Sequence, residues 1–269
     1  MGELALVYMV AGMSSRFLGK IKQFAIIGDD EETLIERSLK QALPAGFTKI
    51  VFIVGNKTEI PFKEKFGNYY QEVPVYYAFQ SYDSSTRERP WGTTDALCSA
   101  QSFLDCPFVV CNGDDLYGEN SFKILTEHLK KYQTCATLGF KLGTSIPENG
   151  KVNRGIFQTE GNTITEIKEC FEIEKINLKQ KNLTEELNCS MNIFALQPNV
   201  LVELNSLLQE FKEKNKEDRK IEALIPENIS LLIKQKKIIM NLYPTPDLWM
   251  GITNPGDENI VREKLKNIE

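Results

Sequence analysis

The first half of the chain alternates short apolar runs with segments whose apolar residues recur at helical spacing. The apolar runs predict buried strands over residues 4–10, 49–55, 73–79 and 107–113, and the helical patterns predict helices over 33–43, 93–104 and 122–132. Strands that are apolar on both faces and separated by helices are typical of a parallel sheet covered on two sides. We therefore expect an α/β fold with a mixed, mostly parallel central sheet flanked by helices.

The second half has a different pattern, which predicts a hairpin over 154–169 turning at residues 160–162, a strand over 188–198, helices over 199–214, 225–235 and 257–267, and a strand over 237–244. The charged run over 212–220 is interpreted as the solvated end of a helix and a loop. We expect a single domain over 1–269, with parts at about 1–139 and 201–269 and a small β-rich subdomain at about 140–200.

Composition excludes several classes of function. The 269 residues are 42% hydrophobic and 26% charged, which is typical of a soluble globular protein, and a net charge of -5 argues against a nucleic-acid partner. No run is long and apolar enough to predict a membrane segment. The scattered cysteines predict reduced, buried thiols and a cytoplasmic protein. The single histidine, His128, is expected on a helix surface, which removes Ser-His-Asp and histidine-metal chemistry from the candidates.

The segment "VYMVAGMSSRFLGKIKQF", Val7 to Phe24, raises the question of what binds after the first strand. Small residues there let backbone N–H groups approach an anion, and the carboxyl end of such a strand is where doubly wound sheets bind ligands. Arg16 and Lys22 would add positive charge. The spacing fits neither G-x-x-x-x-G-K-[ST] nor G-x-G-x-x-G. The alternative interpretation is a strand followed by a polar surface loop.

The motifs "AGMSSR" and "IKQFAIIGD" resemble those of the nucleotide-sugar pyrophosphorylases, or sugar-phosphate nucleotidyltransferases, although Ile21 replaces the proline that is usual there. Further motifs follow in the family's order: "YAFQ", "WGTTDALCSA", "VVCNGDDLYG", "NRGIF", "EIKE", "SMNIFAL" and "DLWMGITNPGDENIVREKL". The resemblance spans nearly the whole chain. It implies a glycosyltransferase-A-like, Rossmann-like fold whose 140–200 part faces the sugar phosphate.

The resemblance implies the reaction of an NTP (UTP, CTP or dTTP) with a sugar 1-phosphate to give an NDP-sugar and pyrophosphate. It implies catalysis by Arg16 and Lys22, and sites for the nucleotide at Ala11, Gly12, Met13, Ser14, Ser15, Gln80, Gly92, Thr93 and Asn112. The sugar phosphate would meet Asp115, Arg154, Gly155, Glu169 and Asn192. Mg²⁺ would be held by Asp114 and by Asp247, because Gly251 stands where many relatives have aspartate. A role in cell-surface polysaccharide biosynthesis and a homo-oligomer would suit this family.

Two alternatives stay open. A cytidylyltransferase of the same fold would activate phosphocholine or a polyol phosphate, for which an aromatic or acidic cage in the 140–200 region would be expected. A regulatory homologue would bind nucleotides without turnover, and the missing aspartate at position 251 favours it. Retention of Arg16, Lys22 and Asp114 together argues for an enzyme.

Overall fold

The centre of the protein is a large mixed sheet in the computed structural model, which describes residues 2–12, 19–147, 150–252 and 256–266. The strands in chain order are β1 (Ala5–Met9), β2 (Lys49–Val54), β3 (Tyr69–Tyr70), β4 (Val73–Phe79), β5 (Phe108–Asn112), β6 (Asp115–Leu116), β7 (Cys135–Lys141), β8 (Val152–Glu160), β9 (Thr163–Ile173), β10 (Asn188–Cys189), β11 (Phe194–Leu196), β12 (Met240–Pro244) and β13 (Met250–Gly251). Within the described ranges eleven of them form one sheet, ordered β10-β8-β9-β12-β7-β11-β5-β1-β2-β4-β3.

The parallel part of the sheet is its β5-β1-β2-β4 section. Val7 of β1 lies opposite Val51 of β2 and Val110 of β5, and β2 pairs in parallel with β4. Since parallel strands end at a common edge, the segments that leave β1, β2, β4 and β5 emerge side by side. This edge carries most of the residues that the motifs selected.

Helices cover both faces of the parallel section, as the apolar strands predict. They are α1 (Leu34–Ala42), α2 (Glu59–Phe66), α3 (Thr93–Ser99), α4 (Glu119–Lys131), α5 (Leu142–Ser145), α6 (Asn199–Lys214), α7 (Ile225–Lys234) and α8 (Asp257–Lys266). Alternate residues of β1 enter different cores: Tyr8 packs in the core under α1, α2 and α4, and Val7 in the core under α3, α6 and α7. The α/β prediction is confirmed.

In the β-rich part of the second half, neighbouring strands pair in a closed ring, in the order β10, β8, β9, β12 and β7, with β7 pairing again with β10. Strands β8 and β9 form the predicted hairpin, and β10 pairs with both β8 and β7. The strand predicted over 188–198 is instead two short strands, β10 and β11. Asn192 interrupts them with φ 56°, a left-handed conformation that asparagine tolerates better than most residues. The chain therefore turns at Asn192 before it rejoins the central sheet.

The end of the described chain returns to the edge where β5 ends. Strand β13 pairs with β6, so that Gly251 lies opposite Asp115. Leu116 and Met250 share a small apolar cluster with Val261 of α8. This packing carries residues 250–252 into the neighbourhood of the motifs near the start of the chain.

His128 is not on the surface, which corrects the expectation. The residue is 2% exposed, with Nδ1 3.0 Å from the Tyr243 hydroxyl and Nε2 2.9 Å from the Thr134 carbonyl. Burial lowers the pKa of His128. The histidine therefore joins α4 to the neighbouring strands as a structural residue.

The cysteines are confirmed as free thiols, and all six lie in described ranges. Four are buried, whereas Cys98 and Cys170 are half-buried.

Every helix in the described part of the chain is too short or too polar to cross a bilayer.

Candidate active site

The backbone at the edge of the sheet is closely packed around the exit of β1. A Cβ on Gly55 would lie 3.2 Å from the Ala11 carbonyl oxygen, and one on Gly113 would lie 2.3 Å from Cγ1 of Val10. At Gly113 a side chain would force Val10 to move, whereas at Gly55 it would press on Ala11 by a few tenths of an ångström. A Cβ on Gly12 would meet no atom of the described residues within 4 Å. The other predicted nucleotide-binding and catalytic residues of this segment lie outside the described residues: Met13, Ser14, Ser15 and Arg16.

Lys22 and Asp114 form an ion pair at this edge, between Nζ and Oδ2. Lys22 Nζ also donates to the Ile252 carbonyl at 3.2 Å, and the Ile252 N–H donates to the Asp114 carbonyl at 3.2 Å. The side chains of Lys22 and Asp114 are 17% and 20% exposed. The pair is therefore held by the returning C-terminal segment and is still open to a ligand.

Asp115 lies beside this pair and is buried. Its Oδ2 accepts a hydrogen bond from Asn112 Nδ2 at 2.9 Å and lies 3.2 Å from the Tyr117 hydroxyl. Burial, and then the neighbouring Asp114 carboxylate, raise the pKa of Asp115 to about 7. Asp115 therefore resists ionisation beside the Asp114 carboxylate. A bound cation would offset the negative charge of these two adjacent groups.

Gly251 explains why this chain lacks the aspartate that many relatives carry there. A Cβ at position 251 would lie 2.3 Å from Asp115 Oδ1 and 2.5 Å from the Trp249 ring. Asp115 therefore fills the space that a side chain at 251 would need.

Asp247, which is predicted as the second metal ligand, binds the start of α4. Its Oδ2 accepts from the Ser121 N–H at 2.8 Å and its Oδ1 from Asn120 Nδ2 at 2.9 Å. Both oxygens are used at the first turn of α4, where a carboxylate stabilises unpaired N–H groups. Asp247 therefore caps α4 in the structure, and its role as a metal ligand stays a prediction.

The hairpin brings Arg154, Gly155 and Glu169 together. Gly155 pairs with Glu169, and a Cβ on Gly155 would lie 2.9 Å from Glu169 Oε1. Burial, and then the Glu227 carboxylate, raise the pKa of Glu169 to about 7, while the Arg154 guanidinium acts in the opposite direction. A carboxyl group that is half-buried beside bare backbone can accept hydrogen bonds from a small polar ligand.

Arg154 is held over the Trp249 ring, with Cζ 5.4 Å from the ring centroid. Its Nη2 donates to the Ser145 carbonyl at 2.8 Å, and burial lowers its pKa. Asn192 follows at the turn between β10 and β11, where its N–H donates to Ser190 Oγ at 3.2 Å. The Ser190 N–H in turn donates to the Gly155 carbonyl at 2.8 Å. The backbone of Asn192 is thus tied to that of the hairpin.

Gln80 follows β4 and is buried against the start of α3. Its Nε2 donates to the Gly92 carbonyl at 3.1 Å and to Asp95 Oδ2 at 2.8 Å. Lys212 of α6 donates to the other carboxylate oxygen of Asp95 at 2.5 Å. Thr93 Oγ1 accepts from the Ile225 N–H at 3.0 Å. The predicted base-binding residues are therefore joined to the second half of the chain.

Sequence reasoning missed three residues in this region: Arg87, Asp95 and Lys212. Arg87 is 3% exposed, lies 3.5 Å over the Trp91 ring and donates to the carbonyls of Asp218 and Ile221. The charged run 212–220 is therefore not wholly solvated, since its first lysine and the Asp218 carbonyl bind partners in the first half. No local pattern marks these contacts, because the partners are more than a hundred residues apart in sequence.

Comparison with known proteins places the chain in a family. The model of the Nucleotidyl transferase family matches residues 18–252. That span covers most of the protein, and the chain belongs to this family. The protein is thus a nucleotidyltransferase, the class that its motifs indicate. Comparison with curated protein sequences finds no match.

Solved structures share the fold at low sequence identity. A UDP-glucose pyrophosphorylase complexed with UDP-glucose is 18% identical with a TM-score of 0.69, over 100% of both chains. A Bacillus anthracis protein assigned as a glucose-1-phosphate thymidylyltransferase is 15% identical with a TM-score of 0.70, over 99% of this chain and 96% of the other. HddC from Yersinia pseudotuberculosis, complexed with GMP-PN, is 14% identical with a TM-score of 0.62, over 97% and 99%.

Proposed function

We propose that the protein condenses an NTP with a sugar 1-phosphate to form an NDP-sugar and pyrophosphate. The observation that carries the proposal is the Lys22–Asp114 pair at the exit of β1, beside the turn that begins at Ala11 and Gly12. A cation and an acidic cluster at the carboxyl edge of a parallel sheet suit a nucleoside triphosphate with its metal ion. The family match and the nucleotide-sugar ligand of a structural neighbour support the same reaction.

In this proposal Lys22 neutralises charge on the reacting phosphates. A phosphate oxygen of the sugar phosphate attacks the α-phosphorus in line, and pyrophosphate leaves. Such a transfer needs positioning and charge neutralisation more than covalent help. Arg16 is assigned to the departing pyrophosphate through the motif alone.

The residues present fit Mg²⁺. Asp114 would hold the ion, and Asp115 would hold a coordinated water or contact the sugar phosphate, since Mg²⁺ prefers oxygen ligands and keeps several waters. When bound, the ion would supply charge neutralisation at the α-phosphate. Burial, and then the neighbouring Asp114 carboxylate, raise the pKa of Asp115, and this buried pair of carboxyl groups is the structural reason to expect a cation here.

The sugar phosphate is assigned to the hairpin. Glu169 and the backbone of Gly155 would bind sugar hydroxyls, Arg154 would face the phosphate, and Asn192 would contribute its amide. A carboxylate that accepts two hydroxyl hydrogen bonds would discriminate against analogues that lack them. The burial of Glu169 against Gly155 supports this assignment.

The test is a matrix of NTPs against phosphorylated small molecules, read by pyrophosphate release with and without Mg²⁺. We expect release with at least one sugar 1-phosphate, and none when the metal is chelated. Phosphocholine and polyol phosphates form the second arm. Turnover only with that arm would replace the sugar with another acceptor, and binding of NTPs without any turnover would identify a regulatory protein.

A further inference from the structure

The two carboxyl groups that follow β5 each have one engaged oxygen and one free oxygen. Asp114 Oδ2 pairs with Lys22 Nζ, and Asp115 Oδ2 accepts a hydrogen bond from Asn112 Nδ2 at 2.9 Å. In the part of the chain that the structure describes, neither Oδ1 accepts a hydrogen bond. Mg²⁺ prefers oxygen ligands and keeps several waters, so that one or two carboxylates hold it. The free oxygens are therefore the atoms with which these groups would bind a cation.

Asp115 Oδ1 occupies the space in which the side chain of residue 251 would begin. A Cβ built on Gly251, which pairs with Asp115 across β6 and β13, would lie 2.3 Å from this oxygen. The carbonyl of the next residue, Ile252, accepts from Lys22 at 3.2 Å, and Lys22 pairs with Asp114. Both carboxyl groups therefore border the returning C-terminal segment. A carboxylate carried by residue 251 would have to start from the place that Asp115 already fills.

Trp249 lies against the same space and has a buried N–H without a partner. The Cβ built on Gly251 would lie 2.5 Å from its Cζ2 atom. Nε1 is buried and makes no hydrogen bond of normal geometry with the described residues. Burial and then Asp114 raise the pKa of Asp115, and the Trp249 N–H acts in the opposite direction, which places Nε1 near that carboxyl group. A buried donor is rarely left unpaired, and Asp115 Oδ1 is a free acceptor beside it.

We propose that Asp115 Oδ1, and not a side chain of the C-terminal segment, supplies the second carboxylate ligand of the metal ion, and that Trp249 is the positioning residue that orients it. The inference deepens the proposed function and rests on it for the presence of the ion. Because Oδ2 is fixed by Asn112, a hydrogen bond from Trp249 to Oδ1 would set the plane of the carboxylate beside Asp114. Oδ1 has a second lone pair for the ion. Asp247 then serves α4 alone, where both of its oxygens accept hydrogen bonds.

The first experiment measures binding of Mn²⁺, as a paramagnetic substitute for Mg²⁺, to the full chain by the loss of the free-ion electron paramagnetic resonance signal. In Asp115→Asn the amide oxygen keeps the bond from Asn112, so that an NH₂ group takes the place of Oδ1. The affinity should fall at least about tenfold, as in Asp114→Asn, because such sites depend on the number of charged ligands. Asp247→Asn should leave the affinity unchanged.

The control is Asp105→Asn, which removes an exposed carboxylate that pairs with Lys49 before the start of β5. It should bind Mn²⁺ like the wild type. Loss of affinity in Asp247→Asn but not in Asp115→Asn would overturn the proposal. Absence of Mn²⁺ binding by the wild type would overturn it as well.

Moving the carboxylate gives a second test. Gly251→Asp alone should crowd Asp115, whereas Asp115→Ala makes room for the new side chain. The double variant Asp115→Ala/Gly251→Asp should therefore bind Mn²⁺ at least about tenfold more tightly than Asp115→Ala. Thermal unfolding shows which variants fold, and the asparagine variants decide the question without this one. A folded double variant that gained no affinity would show that Asp115 does not stand in the place of residue 251.

Trp249→Phe tests the positioning role, because it removes the N–H and keeps an aromatic ring under Arg154. The affinity for Mn²⁺ should fall about tenfold, as for other residues that orient a metal ligand. In Asp115→Asn the same change should have no further effect, since the oxygen to be oriented is gone. An equal loss in both backgrounds is the signature of a merely structural role and would overturn the assignment of Trp249.

Pyrophosphate release, measured with Mg²⁺ on the same preparations, separates the two levels of inference. Mn²⁺ binding that depends on Asp115, without release from any pair of substrates, would contradict the proposed function alone. Release by a protein whose Mn²⁺ affinity is unchanged in Asp115→Asn would contradict this inference alone.

Discussion

Restoring the aspartate that many relatives carry, by Gly251→Asp, should damage the protein rather than improve its metal site. The new Cβ would lie 2.3 Å from Asp115 Oδ1 and 2.5 Å from the Trp249 ring, so one of these side chains must move. If Asp115 moves, it loses the 2.9 Å hydrogen bond from Asn112 Nδ2. The change also brings a further carboxylate to a buried acidic cluster.

The magnitude follows from these contacts. Overpacking of a filled site costs about 1–3 kcal/mol, and loss of a hydrogen bond to a carboxylate costs about 1.5–3 kcal/mol. A total of about 4 kcal/mol should lower the melting temperature by about 8 °C for a domain of this size. Thermal unfolding by circular dichroism measures this, and Mg²⁺ titration of pyrophosphate release measures the metal site.

The matched control is Gly161→Asp in the hairpin turn. Gly161 has φ +59°, and a Cβ there would meet no atom within 4 Å in the part of the chain that the structure describes. Only the left-handed backbone then opposes the substitution, which costs about 1–2 kcal/mol, and the melting temperature should fall by about 2–4 °C. If Gly251→Asp melted like the wild type or needed less Mg²⁺ for turnover, the space at position 251 would not be filled as described.

Three further outcomes are expected. Lys22→Met should melt near the wild-type temperature, but its kcat should fall by a factor of about 10²–10³, as it does when other enzymes lose a preorganised group that stabilises charge. Turnover within threefold of wild type would remove Lys22 from the mechanism. The fold raises the pKa of Glu169 to about 7, so between pH 4.5 and 7 the folded protein holds a proton on Glu169 that the unfolded chain releases. The contribution of this group to stability is therefore present below pH 4.5 and is lost as the pH rises through 7. The melting temperature without metal should show that decline, and Glu169→Gln should lessen it. Arg87→Ala should reduce the free energy of unfolding by about 3 kcal/mol in urea titrations, because the carbonyls of Asp218 and Ile221 lose their hydrogen-bond donor. An unchanged urea midpoint would show that Arg87 does not stabilise Trp91 and the 218–221 segment.

The strands and helices with a clear periodicity could be predicted from the sequence. The predicted strand over 73–79 and helix over 199–214 have the same bounds as β4 and α6. Helix α2 was missed because Pro61 lies in its first turn and only Phe62 and Phe66 anchor it in the core. Strand β7 was missed because Thr137 and Gly139 interrupt its short apolar run, and glycine is uncommon in strands.

The site was predictable to the extent that its residues lie in short motifs. The Lys22–Asp114 pair joins two motifs that the resemblance identifies, and the structure brings them into contact. The contact of Asp247 with the start of α4 could not be predicted, because 126 residues of sequence separate Asp247 from Ser121. The partners of Gln80 could not be predicted, since Lys212 reaches Asp95 across 117 residues of sequence and only the packing of α6 on α3 joins them.

The hydrogen bonds of Ile252 to Lys22 and Asp114 have a consequence for synthesis of the protein. A nascent chain emerging from the ribosome can build the β5-β1-β2-β4 core early, but the Lys22 ammonium and the Asp114 main-chain carbonyl gain their shared backbone partner only after residue 252 has been released. Nucleotide-binding competence should therefore appear late, after most of the fold resists proteolysis.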